Sequence, residues 1–148
     1  HPVTELITGV DIVEQMIRVA AGNRLPYKQD DIGIKGWAME SRIYAEDPLR
    51  NFLPSIGRLT TYVEPTADPA DSEDSVRVDS GVIEGSEISM HYDPMISKLI
   101  TYGKDRKEAI RLMMAALDRY QIRGVENNVN FVRDVMENPR FIEGDLSS

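Results

Sequence analysis

The chain has 148 residues, 41% hydrophobic and 28% charged, with a formal net charge of -8. That length suits one domain able to build its own core. There is no cysteine, which excludes disulfides and thiolate metal sites, and the acidic balance disfavours nucleic acid or an anionic membrane as partner.

Thr8-Gly9-Val10-Asp11 resembles a capping box with Asp in place of Glu, and Ile12, Met16, Val19 and Ala20 recur at helical spacing before Gly22. This predicts a helix over 10–21, with His1 as a frayed terminus. Residues 32–45 alternate as a strand, putting Trp37, Met39 and Ile43 on the core face and Ala38, Glu40, Arg42 and Tyr44 on the other. A loop over 48–57 and a strand over 58–63 follow. Residues 64–75 carry five acids, two prolines and no basic residue, which predicts a mobile surface loop.

Strands over 76–79 and 87–92 flank the Ser80-Gly81 and Glu84-Gly85 turns. Asp93-Pro94 then breaks the ladder, because proline lacks an amide donor. A strand over 96–102 ends at Gly103. Asp105 caps a helix over 106–121 with the apolar stripe Ala109, Leu112, Met113, Ala116, Leu117 and Tyr120. Met113 and Met114 read as core filling. A last helix over 128–137 stops at Asn138-Pro139. The class is α+β, an antiparallel sheet of short strands flanked by helices.

Glycine-rich phosphate loops, H-E-x-x-H and G-x-S-x-G are all absent, and His1 and His91 show no metal-ligand spacing. Arg42 is the residue with chemistry to argue. Its guanidinium is permanently charged and offers five donors in a rigid fork, suited to an anion or a developing oxyanion. Spacing alone reads first as an ion pair with Glu40 or a neighbouring acid. Glu40 and Asp93 are candidates to orient Arg42, while Asp93 before Pro94 reads equally as a turn residue. Lys98, between Ser97 and Leu99, reads as a snorkelling lysine.

Three runs carry a resemblance: Lys35-Gly36-Trp37-Ala38-Met39-Glu40-Ser41-Arg42-Ile43-Tyr44-Ala45-Glu46-Asp47-Pro48, Phe52-Leu53-Pro54-Ser55-Ile56-Gly57, and Tyr92-Asp93-Pro94-Met95-Ile96-Ser97-Lys98-Leu99. In that order they resemble the C-terminal domain of biotin carboxylases. The resemblance implies that 1–30 end the preceding ATP-grasp region with a helix and that 31–148 form the biotin carboxylase C-terminal domain. It implies that Arg42 is the catalytic, biotin-facing residue, stabilising negative charge when biotin N1′ loses its proton, with Glu40 and Asp93 in support. Biotin, ATP and Mg or Mn are the implied cofactors, with the metal ligands and most ATP ligands outside this chain. The glutamate thought to deprotonate bicarbonate would precede His1 in the family run.

The implied partners are the ATP-grasp part of the same chain, a biotin carrier domain and a carboxyltransferase β subunit, with no nucleic acid and no membrane. The implied place is the cytoplasm of a bacterium or the mitochondrial matrix of a eukaryote. Gly36-Trp37-Ala38 and Val76-Arg77-Val78-Asp79-Ser80-Gly81 lean toward the α subunits that serve propionyl-CoA. Acetyl-CoA, methylcrotonyl-CoA and pyruvate carboxylases share many of these runs and stand as alternatives, as does a non-catalytic interaction module.

Overall fold

A nine-residue apolar run, Met95–Gly103, is the axis of the architecture in the computed structural model, which describes residues 1–147. In chain order the elements are α1 (Pro2–Thr8), α2 (Ile12–Ala20), β1 (Trp37–Tyr44), β2 (Glu46–Asp47), β3 (Leu53–Pro54), β4 (Gly57–Arg58) and β5 (Thr61–Val63). There follow β6 (Val76–Ser80), β7 (Glu87–Ile88), β8 (Met95–Gly103), α3 (Arg106–Arg119), β9 (Gln121–Arg123), α4 (Val129–Glu137) and α5 (Pro139–Glu143). The main sheet has the order β1-β8-β6, and β2-β3, β4-β7 and β5-β9 form two-stranded ribbons. All pairings are antiparallel.

Strand alternation divides the main sheet into two faces. Ser97, Leu99 and Thr101 of β8 face α3, because the Thr101 hydroxyl donates to the Ala109 carbonyl at 2.8 Å. Their partners on β1 are Ile43, Ser41 and Met39, all buried. α3 supplies the other half of this core. Asp105 accepts from the Glu108 amide at 2.8 Å, and Ala109, Leu112, Met113, Ala116 and Leu117 are buried beneath. The cap and the stripe are where the sequence puts them. Tyr120 is buried just beyond the helix, its hydroxyl 2.6 Å from the Ser97 hydroxyl and 2.8 Å from that of Tyr62. Burial pushes both phenols above their ordinary range, so this buried chain of hydroxyls stays protonated.

The opposite face carries Ala38, Glu40 and Arg42 of β1, Lys98, Ile100 and Tyr102 of β8, and Arg77 and Asp79 of β6. α1 covers one end of it. Arg77 bridges Glu5 of α1 at 3.0 Å and Asp79 at 2.7 Å, and the second Glu5 oxygen accepts from the Ile12 amide at 2.9 Å. The Arg42 end is left open.

Several elements differ from the sequence expectation. The first predicted helix is two. His1 precedes α1, its carbonyl accepting from the Glu5 amide at 3.2 Å, and Asp11 rather than Thr8 caps α2, accepting from the Glu14 amide at 2.9 Å. The predicted strand over 58–63 changes partner midway: the Leu59 amide donates to Ser86 and the Thr60 amide to Arg123, so β4 and β5 lie in different ribbons. Gly124 sits against this crossing at φ +104°, and a Cβ there would lie 2.0 Å from the Arg58 carbonyl oxygen. β9 takes Gln121 out of the predicted helix by pairing with β5. The predicted strand over 87–92 is only Glu87–Ile88, and Met90 and Tyr92 are exposed. The acidic segment is tethered rather than free: Arg111 donates to Asp71 at 2.9 Å and Arg119 to the Thr66 carbonyl at 2.8 Å, while Pro65 and Ser75 are buried. Asn138-Pro139 both stops α4 and starts α5, because Asn138 caps the Arg140 amide at 2.9 Å.

Trp37 is also corrected. It is on the predicted face but at the first position of β1, beyond the cover of α3, and it is 46% exposed. Trp37→Ala in this chain is therefore expected to cost about 1 kcal/mol, well under the roughly 3–5 kcal/mol of a fully buried aromatic. Urea unfolding of the pair checks this, and a loss above about 3 kcal/mol would contradict the placement.

Candidate functional site

The open end of the polar face is built by the last turn of β1. Two-residue spacing projects Glu40 and Arg42 from the same side of the strand. Arg42 Nε donates to Glu40 Oε1 at 3.3 Å, with the arginine side chain 60% exposed and the glutamate mostly covered. Hydrogen bonding to the Glu40 carboxylate, and secondarily to the Tyr44 phenol, raises the Arg42 pKa above its ordinary value. One edge of the guanidinium is tied down and the rest of its fork faces outward. A purely structural arginine would be buried in its ion pair, and Arg42 is not.

Lys98 lies directly across from Arg42 on β8, and Asp79 lies across from Lys98 on β6. Asp79 does not neutralise the pair, because both its oxygens accept from Arg77 at 2.7 and 2.8 Å. Among the described residues Lys98 forms no ion pair. Two cations side by side oppose folding slightly unless something anionic meets them. In a chain of net charge -8, they make a local positive site on an acidic body.

Asp93 is placed elsewhere in function. Its Oδ1 accepts from the Met95 amide at 2.9 Å, shaping the turn into β8, and the hydrogen bond to Arg42 comes from Glu40. The same turn continues β1: the Ala45 amide donates to the Pro94 carbonyl at 2.9 Å. Among the described residues no three carboxylates or imidazoles converge to hold a metal ion. No helix among them is long and apolar enough to cross a membrane.

Asn128 was not singled out from the sequence. It reaches the free edge of β1 from a position 84–86 residues away, bonding to the backbone of Arg42 and Tyr44. Its only sequence signal is an asparagine ahead of an apolar helix, which reads as an ordinary cap.

Comparison with known proteins places this geometry in a wider set. The Biotin carboxylase C-terminal domain family matches residues 40–148, and the Carbamoyl-phosphate synthase L chain, ATP binding domain family matches residues 1–28. The chain is 59% identical over 149 residues to the mitochondrial propionyl-CoA carboxylase alpha chain of Homo sapiens, covering all of this chain and 20% of that one. It is 52% identical over 162 residues to the propionyl-CoA carboxylase alpha chain of Ruegeria pomeroyi, covering all of this chain and 24% of that one. It therefore spans about a fifth to a quarter of the length of these curated relatives. Its fold superposes with a TM-score of 0.91 on the biotin carboxylase domain dimer of Hydrogenobacter thermophilus 2-oxoglutarate carboxylase, a crystal structure in complex with MgADP, ADP and bicarbonate. That likeness is at 42% identity and covers 97% of this chain and 30% of the other. The chain belongs to the biotin carboxylase C-terminal domain family.

Proposed function

We propose that this chain supplies one wall of the biotin site in the biotin carboxylase component of an acyl-CoA carboxylase. The parent reaction is the ATP- and bicarbonate-dependent carboxylation of biotin. The observation that carries the reading is the exposed fork of Arg42, tied to Glu40 on one edge and flanked by Lys98 on an open sheet face. Biotin supplies a ureido ring whose oxygen gathers negative charge. Arg42 holds that oxygen with donors already in place, and Glu40 orients the guanidinium and keeps it charged. Lys98 adds a second positive charge beside it. Asp93 acts at one remove, by fixing the turn that carries β8 past Arg42.

Residues 1–30 are the end of the ATP-grasp part and 31–148 the domain proper, a division supported by the separate match of 1–28. ATP, its Mg or Mn ion and the bicarbonate base are bound by that part of the parent. The biotin carrier domain and a carboxyltransferase β subunit are its further partners. The acyl group is propionyl, a choice supported by the relatives named above.

The test compares the 148-residue chain with its parent subunit. The parent is expected to hydrolyse ATP in a bicarbonate-dependent way and to carboxylate free biotin. The chain alone is expected to do neither above a matched blank. Turnover by the chain alone, abolished by Arg42→Ala, would put the whole active site here and overturn the reading.

A further inference from the structure

β1 is an edge strand, with β8 on one side and no strand on the other. Its pairing with β8 slips between Ile43 and Tyr44, so the ladder loosens immediately after Arg42. An edge strand beside a bulge is free to twist, and twist sets the direction of every side chain on it. Arg42 would inherit that freedom at the point where direction matters most.

Asn128 fills the missing place. Its Nδ2 donates to the Arg42 carbonyl at 3.0 Å, and its Oδ1 accepts from the Tyr44 amide at 2.8 Å. Its own backbone amide donates to the Tyr44 carbonyl at 3.2 Å. These three bonds grip β1 on both sides of the buried Ile43, as a neighbouring strand would. The pattern also fixes the amide orientation, because only Nδ2 can serve a carbonyl and only Oδ1 an amide.

Asn128 is itself held firmly. It is buried, and its carbonyl accepts from the Val132 amide at 2.9 Å at the start of α4. The loop before it is pinned, since the Glu126 amide donates to the Ser55 hydroxyl at 3.0 Å and the Ser55 amide to the Ala45 carbonyl at 2.8 Å. Gly124 closes the other end of this loop against Arg58.

We infer that Asn128 is a positioning residue for Arg42, acting as a one-residue substitute strand that sets the direction of the guanidinium. This rests on the reading that Arg42 faces biotin. Asn128 touches no substrate, and its effect passes through the Arg42 backbone.

The test uses the full-length carboxylase subunit and a double-mutant cycle, with Asn128→Ala, Arg42→Ala and both together. Free-biotin carboxylation and bicarbonate-dependent ATP hydrolysis without biotin are measured on each. Asn128→Ala is expected to lower biotin carboxylation about 10²-fold, the scale of a small misplacement of a reacting group. ATP hydrolysis should stay within about twofold, whereas partial unfolding would lower both rates together. In the Arg42→Ala background, Asn128→Ala should cost little more. If Asn128→Ala does not fold, Asn128→Asp keeps the side-chain shape and the acceptor for Tyr44 while removing the donor to Arg42, and it should show the same selective loss.

An equal Asn128 effect in both backgrounds overturns the positioning role and leaves the Arg42 reading intact. Loss of both activities in parallel overturns it as well. An Arg42→Ala subunit that carboxylates biotin normally would instead overturn the underlying reading.

Discussion

Leu99→Ala is expected to lower the unfolding free energy of the chain by about 2–5 kcal/mol, the usual range for truncating a buried leucine. Leu99 lies at the middle of the central strand, between Ser41 of β1 and Val78 of β6, with no exposed surface. Its face is the one covered by α3, as the bond from Thr101 to the Ala109 carbonyl shows. A cavity there has few ways to collapse. The strand is held in ladders on both sides, and α3 is fixed by the Asp105 cap and by fully buried Ala109, Met113 and Ala116. Urea unfolding read by far-UV circular dichroism gives the comparison, with Trp37→Ala as the half-exposed control. A Leu99→Ala loss below about 1 kcal/mol would mean that the β8–α3 interface is not the main core.

These two residues show how far the sequence could be read. β8 was legible because an uninterrupted apolar run bounded by Pro94 and Gly103 has no reading except a buried strand. α3 was legible because Asp105, a 3.6-residue stripe and the length agree. The Glu40–Arg42 pair followed from two-residue alternation alone. Trp37 failed because alternation gives the face of a strand and says nothing about how far the covering helix extends. β5 and β9 failed because their pairing joins residues about sixty positions apart through three-residue strands, too short to show a period. Asn128 was invisible for a related reason. Its partners lie far back in the chain, and a side chain that imitates a strand leaves no repeating pattern.

α2 is the opposite case, legible in pattern and unexplained by packing. Ile12, Met16 and Val19 form the stripe that the sequence promised, yet Met16 and Val19 are exposed and α2 buries no residue. With Leu25 the stripe lines an open apolar depression of about 460 Å³. Amphipathic helices are stabilised mainly by the surface they bury. This helix is held instead by its Asp11 cap and by Glu5, which accepts from its first amide.

Arg42→Lys in the full-length carboxylase is expected to reduce biotin carboxylation about 10²–10³-fold, the usual consequence of losing one preorganised donor to a developing oxyanion. The reason is geometric. The guanidinium is planar, so a donor held on Glu40 at 3.3 Å fixes the directions of the others. Lysine keeps the charge and loses the fork. Its ammonium is a hydrated point charge on a flexible stem, and Glu40 would draw it inward along the strand. Neighbouring Lys98 cannot replace the lost donors, since it too offers a point charge, and from the next strand. The KM for ATP should change little, because the nucleotide ligands are proposed to lie in the ATP-grasp part of the parent. Both quantities are read on one preparation: the rate of free-biotin carboxylation at saturating ATP, and the ATP dependence of bicarbonate-driven hydrolysis. A lysine variant that carboxylates biotin at near the parental rate would show that charge alone suffices at this position. Arg42 would then be a partner of Glu40 and nothing more.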